Sequence, residues 1–171
     1  MNLLRIAFTG WAGSGKTTAA KYLAEKFEGD VLSFAYPIKY IDRYVFGTTI
    51  KNRERLQKIG EFFREFDPDI WVKHLIDTAD LFKEKHLFVD DLRRENEYEA
   101  LLKNNFKIVR IVADEDLRIK RLMERDGHCD ISVLYNESES GVASIPFFEI
   151  ENSGTLEEFY EKLDTYVGEF C

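Results

Sequence analysis

At 171 residues, 44% hydrophobic and 33% charged, the chain has the composition of one compact folded domain and not of a disordered segment. Its net charge of −8 argues against a long polyanion such as nucleic acid as a partner, because the summed field would repel it. A small anion in a cleft is not excluded, since a few arginines act there at short range.

Residues 4–9 (LRIAFT) form a short apolar run ended by Gly10, which predicts a buried strand running into a turn. From Lys16 the apolar positions Ala20, Leu23, Ala24 and Phe27 recur at helical spacing until Gly29, a core-facing helix with a glycine stop. Residues 31–35 read as a second strand, and Pro37 opens a helix through Phe46 that Gly47 ends. Helices follow over 53–65 and 69–84, a strand over 86–90, a helix over 95–105 and a strand over 107–113. Residues 114–126 make a further helix. After it, 127–145 loses periodicity and gathers Gly, Ser, Asn and Asp, so 114–145 reads as a lid region. Strand character returns over 147–150, and Thr155 with Glu158 forms a capping box for an amphipathic closing helix. This alternation predicts a parallel sheet of about five strands with helices on both faces in three layers, one domain over 1–171 with no repeat or linker.

Cys129 and Cys171 have neither metal-ligand nor disulfide-framework spacing, and reduced thiols are the simplest reading. Residues 1–9 are too short for a signal or membrane segment. A cytoplasmic location without a membrane partner is therefore expected, and the oligomeric state is open, a homodimer included.

Gly10, Trp11, Ala12, Gly13, Ser14, Gly15, Lys16 and Thr17 spell GWAGSGKT, followed by Thr18. In GxxxxGK[ST], glycines let backbone N–H groups turn inward around phosphate oxygens, the lysine bridges the outer phosphates and the hydroxyl ligates Mg²⁺. ATP and Mg²⁺ are the implied ligands. Chance would produce the pattern in roughly one chain of this length in a few hundred, and its place between strand and helix lowers those odds.

Asp90 and Asp91 end an apolar strand, where a carboxylate lies beside the first strand's loop and can hold Mg²⁺ or its waters. Arg93 follows. The bland alternative is that these charges cap the next helix. Arg118, Arg121 and Arg125 recur at i, i+3 and i+7 on one helix, beside its apolar stripe. Arginines brought in by closure stabilise the charge on a transferring phosphoryl group, whereas a solvated helix face would pair them with Glu124 and Asp126. Lys39, Arg43, Arg55, Arg64 and Lys73 are, by themselves, ordinary helix-surface charges. Trp71, Tyr36 and Tyr40 suit base stacking or core packing alike. His74, His86 and His128 lack ligand spacing.

With those residues in view, the chain resembles the deoxynucleoside monophosphate kinases of bacteriophages and their phosphomevalonate-kinase-like relatives, within the nucleoside-monophosphate-kinase group of P-loop enzymes. The resemblance runs through GWAGSGKTT, FAYPIK (34–39), RLQKIGEFFREFDPDIWVKHL (55–75), FVDDLRRENEYEAL (88–101) and IENSGTLEEF (150–159). It implies a P-loop NTPase fold with an acceptor-binding helical region over 34–85. It implies roles for Asp91 and Arg93, places Lys39, Arg64 and Trp71 on the acceptor side, where Arg43 is a further candidate, and brings Asn152 and Gly154 near the adenine of ATP. Thr17 stands where several family members carry Asp, and the lid is short and poor in arginine. The reaction implied is transfer of the γ-phosphoryl group of ATP to a small (deoxy)nucleoside monophosphate. Dephospho-coenzyme A or phosphomevalonate as acceptor is the alternative, although SFAYPIK differs from the acidic entry that dephospho-coenzyme A kinases resemble one another in. A slow regulatory NTPase is a third reading, without the Asp-x-x-Gly and Asn-Lys-x-Asp motifs of GTPase switches.

Overall fold

Short parallel strands buried on both faces need helices above and below them, and that is the arrangement in the computed structural model, which describes residues 3–47, 52–127 and 148–169. The strands are β1 (Arg5–Thr9), β2 (Asp30–Leu32), β3 (Leu87–Val89), β4 (Lys107–Val112) and β5 (Phe148–Glu151). They form one sheet in the order β2-β3-β1-β4-β5, every pair parallel. The helices among the described residues are α1 (Lys16–Lys26), α2 (Tyr36–Phe46), α3 (Arg53–Phe66), α4 (Ile70–Leu81), α5 (Glu95–Lys103), α6 (Glu115–Asp126) and α7 (Leu156–Gly168).

The strand period of two divides β1 between two cores. Ile6 and Phe8 face Ala19, Ala20 and Leu23 of α1 and Phe159, Leu163 and Val167 of α7. Ala7 faces the other way, with Leu87 and Val89 of β3, into Ile38 of α2, Trp71 and Leu75 of α4, and Leu101 of α5. Leu56, Ile59 and Phe63 bring α3 against that second cluster. From β3 the chain crosses β1 to reach β4. The crevice at the carboxyl ends of β3, β1 and β4 is thus the topological switch point where open α/β sheets bind ligands.

The expected elements are present with shifted ends. The second strand stops at Leu32 and does not reach Ala35, because the N–H groups of Phe34 and Ala35 donate to the Asp91 carboxylate and are lost to the ladder. The third strand is Leu87–Val89, short of Asp90 at one end and His86 at the other. The fourth helix ends at Leu81, before Glu84. Gly47 closes α2 at φ 62, as a helix-terminating glycine should. Thr155 and Glu158 make the reciprocal capping box of α7, at 3.2 and 2.9 Å. The loop read as a lid lies outside the described residues from His128 through Ile145, as do Cys129 and Cys171. No helix among the described residues is long and apolar enough to cross a membrane.

Candidate functional site

The turn from β1 into α1 takes φ values of +131°, +82° and +109° at Gly10, Gly13 and Gly15, a region where L side chains are strained. Space is equally restrictive. A Cβ on Gly13 would stand 2.7 Å from the carbonyl oxygen of Arg118, and one on Gly15 would stand 2.3 Å from Nδ2 of Asn152. The loop therefore rests on α6 and on the turn after β5, and glycine is the residue that lets it do so.

Lys16 is 9% exposed. Its ammonium donates to the carbonyl oxygens of Gly10 and of Trp11, the latter at 3.0 Å, which holds the charge across the mouth of the loop. Trp11 also closes the turn by accepting from the Ser14 N–H at 3.2 Å. Ser14 is fully buried, and its hydroxyl has no protein partner. Thr18 is half-buried in the first turn of α1, next to the exposed Thr17.

Thr17 Oγ1 donates to Asp90 Oδ2 at 2.8 Å. The other carboxylate oxygen of Asp90 is buried without a partner, and burial, with Asp91 beside it, raises the Asp90 pKa above the ordinary carboxylate value. A buried carboxylate oxygen left open next to a P-loop hydroxyl is what a hard divalent cation requires, because Mg²⁺ takes one or two carboxylates and completes its shell with phosphates and waters. Thr17 and Asp90 together offer one hydroxyl and one open carboxylate oxygen, a donor set that fits Mg²⁺.

Asp91 does not share that position. Its Oδ2 accepts from Ser33 Oγ at 2.7 Å and Ala35 N at 2.9 Å, and its Oδ1 accepts from Phe34 N at 2.9 Å. Three donors fill the carboxylate that the sequence reading gave to metal and catalysis. Asp91 instead ties the β3 end to the turn entering α2, which places Lys39 on the first turns of that helix near enough to act on the charge of Asp90.

The three arginines of α6 also separate. Arg118 is 6% exposed and reaches the carbonyl of Ala12 at 3.4 Å and Glu115 at 3.6 Å. Arg121 reaches the carbonyl of Gly13 at 3.4 Å and that of Asn152 at 3.0 Å, and burial lowers its pKa from the usual arginine value. Arg125 turns to its neighbour Asp126 at 2.7 Å, and Asp126 also pairs with Arg53 at the start of α3. The shared face holds for Arg118 and Arg121; Arg125 is withdrawn from the loop because an adjacent carboxylate, depressed well below its ordinary pKa by Arg125 and Arg53, captures it.

Asn152 is 5% exposed. Its Nδ2 donates to the Ser14 carbonyl at 2.7 Å and its Oδ1 accepts from Arg121 at 3.3 Å. With both ends of its amide engaged, it braces the P-loop from behind, where the resemblance had implied a place near adenine. Gly154 is exposed in the same turn, next to the Glu158 carboxylate that caps α7.

On the acceptor side, Trp71 is 5% exposed, donates to the Gly60 carbonyl at 3.1 Å and meets Phe63 edge-on with ring centroids 5.4 Å apart. This is a buried side chain that joins α3 to α4, in the core where the resemblance implied a substrate contact. Arg64 is mostly covered and bonded to Glu61 at 3.1 Å. Arg93 and Arg43 are exposed, on the β3–α5 turn and on α2. Sequence reasoning missed Glu97, which is 4% exposed and accepts from the backbone N–H groups of Arg93 at 2.9 Å and Arg94 at 3.0 Å. Burial, opposed by those two bonds, lifts its pKa to about 7. A glutamate at the third position of a helix that follows a site loop was the available signal.

The chain belongs to the AAA domain family, whose model matches residues 6–140. No curated protein sequence matches. The chain is similar in structure to a gluconokinase from Sinorhizobium meliloti 1021 (15% identity, 98% of this chain and 93% of that one, TM-score 0.61). It is also similar to a dephospho-CoA kinase from Campylobacter jejuni (22% identity, 97% and 96%, TM-score 0.54) and to a shikimate kinase from Acinetobacter baumannii in complex with shikimate (16% identity, 98% and 95%, TM-score 0.57). At these identities the likeness establishes the fold, a P-loop fold with a five-stranded parallel sheet.

Proposed function

We propose that this AAA-domain chain is an ATP-dependent phosphotransferase whose acceptor is a nucleoside or deoxynucleoside monophosphate. The observation that carries the reading is the Thr17–Asp90 pair with its open buried oxygen, set beside a P-loop lysine and two arginines. Lys16 and the loop N–H groups hold the β- and γ-phosphates, and Thr17 and Asp90 would hold Mg²⁺, which would supply neutralisation of phosphate charge. An anionic oxygen of the acceptor phosphate bonds to the γ-phosphorus. The bond from that phosphorus to the β-bridging oxygen breaks, and its electron pair leaves on ADP. Arg118 and Arg121 release the Ala12 and Gly13 carbonyls and turn to the equatorial oxygens, where charge develops. Lys39, Arg43, Arg64 and Arg93 supply the cations of the acceptor side, with α2 and α3 carrying the first three.

The carboxylates support a phosphate acceptor over a hydroxyl one. A hydroxyl acceptor needs a base to take its proton, but the Asp91 oxygens are filled by Ser33, Phe34 and Ala35 and Asp90 is on the metal side. A phosphate acceptor is already ionised and needs no base. The solved kinases of similar fold keep a second reading in play, since gluconate, shikimate and dephospho-CoA are small acceptors of other kinds. A coupled assay of ADP release over a panel of nucleoside and deoxynucleoside monophosphates, with shikimate, gluconate, dephospho-CoA and phosphomevalonate alongside, separates the readings. Stimulation by one or more monophosphates is expected, and stimulation by the others alone overturns the acceptor class.

A further inference from the structure

Two guanidinium groups converge on a single carboxylate oxygen beside the β3 end. Glu61 Oε1 accepts from Arg64 Nη1 at 3.1 Å and also from Arg94 Nη2. The two cations lie close enough that Arg94, after burial, is the next cause lowering the Arg64 pKa. Like charges held together cost free energy unless an anion lies between them.

The three side chains are not equally fixed. Arg64 lies against Gly60, where a Cβ would stand 3.2 Å from Nη1, and the Gly60 backbone is itself held by the Trp71 N–H. The Arg94 backbone is bonded to the buried Glu97. The Glu61 carboxylate is bonded only to these two arginines among the described residues and is the most exposed of the three side chains, at 46% against 35% for Arg94 and 16% for Arg64. The carboxylate is therefore the member of the trio most open to displacement from solvent.

Arg94 sits three residues beyond Asp91, and Asp91 and Arg64 both act on the charge of Glu97, so this cluster borders the β3 end that also carries Asp90. A planar fork that binds a carboxylate oxygen binds a phosphate oxygen by the same geometry. We propose that Arg64 and Arg94 form the clamp for the acceptor's phosphate, and that Glu61 is an internal stand-in that occupies the clamp until that phosphate displaces it. The proposal deepens the kinase reading, since it assumes that the acceptor carries a phosphate, and it adds two residues, Arg94 and Glu61, with opposite effects on affinity.

The opposition is the test, because a purely structural ion pair weakens in the same direction whichever partner is removed. The full chain is loaded with Mg²⁺ and a non-hydrolysable ATP analogue to fill the P-loop, then titrated with inorganic phosphate by calorimetry for wild type, Glu61→Gln and Arg94→Gln. Removing the competing charge should tighten phosphate roughly 3- to 10-fold, and removing one fork should weaken it roughly 10-fold or more, the range of a charge-assisted pair. Shifts in the same direction, no shift in either variant, or no phosphate binding to wild type and Glu61→Gln all overturn the clamp. The KM of the best monophosphate, measured on the same variants, should move in the same opposite senses while the KM for ATP stays put. Opposite phosphate shifts without turnover of any monophosphate would leave the clamp standing and remove the nucleotide acceptor; turnover with unshifted phosphate affinities would do the reverse.

Discussion

Asp90 accepts from Thr17 Oγ1 at 2.8 Å through Oδ2 and keeps its buried Oδ1 open, while its neighbour Asp91 is saturated by the turn into α2. Two adjacent aspartates thus take different partners, one the P-loop hydroxyl and one the backbone that carries Lys39.

That division is testable by paired substitution. Asp90→Asn should cost roughly 10²-fold in kcat and shift the Mg²⁺ dependence to higher concentration, the size of effect seen when a metal-orienting carboxylate is lost. Asp91→Asn keeps acceptor oxygens for some of its donors, and should appear mainly as a stability loss of about 1–3 kcal/mol in urea unfolding. An unchanged Mg²⁺ dependence in Asp90→Asn contradicts the assignment.

Arg118→Ala and Arg121→Ala should each lower kcat by roughly 10²- to 10³-fold with ATP still bound, because the lost charge acts on the transition state. Arg125→Ala should change kcat by less than about 5-fold, since its partner is Asp126 and exposed pairs contribute little. Equal losses in all three would restore the single arginine face expected from their spacing.

Much of this was legible in the sequence. Short apolar runs, helical spacing and glycine or proline stops point to every strand and helix described, with shifted ends, because burial on a parallel sheet writes a strong apolar signal. Side-chain destinations were not, since spacing cannot tell which of several partners captures a long cation. Arg125 was taken by the carboxylate next to it and Trp71 by a carbonyl that a helix exposes at Gly60. The resemblance implies a place near adenine for Asn152, but its amide is bonded to the Ser14 carbonyl behind the loop, a placement that depends on how β5 packs against β4 and that spacing does not carry.

Asn152 joins the P-loop to α6, and its loss should be felt in both. Asn152→Ala leaves the Ser14 carbonyl without its buried donor and should destabilise by about 1–3 kcal/mol, while raising the KM for ATP. Gly15→Ala places a methyl on the same amide and adds strain at positive φ, so its unfolding free energy should fall by at least as much. Urea midpoints with and without ATP measure both; a wild-type midpoint in either variant contradicts the brace.

Trp71→Phe should preserve the acceptor KM to within about twofold, with Trp71→Ala costing about 3–5 kcal/mol of stability. A large acceptor KM change in Trp71→Phe at unchanged stability would put the indole back in the substrate pocket.

Glu97 gives the fold a pH dependence. Its pKa rises from 4.5 unfolded to about 7 folded, so between those values the native state binds the extra proton and stability falls as pH rises. The loss, of order a few kcal/mol, is complete above about pH 7 and absent below about pH 4.5. Glu97→Gln removes this term, and its stability relative to wild type should improve as pH increases from 4.5 to 8. A constant difference across that range contradicts the buried, proton-binding carboxyl facing Asp91, Arg64 and the Arg93 and Arg94 amides.

The most direct measurement is the fate of the γ-phosphoryl group. With γ-labelled ATP, Mg²⁺ and a pool of nucleoside and deoxynucleoside monophosphates, label should pass to a nucleoside diphosphate, and Lys16→Ala should abolish that transfer. Label recovered only as inorganic phosphate, or on no acceptor at all, contradicts phosphoryl transfer to a monophosphate.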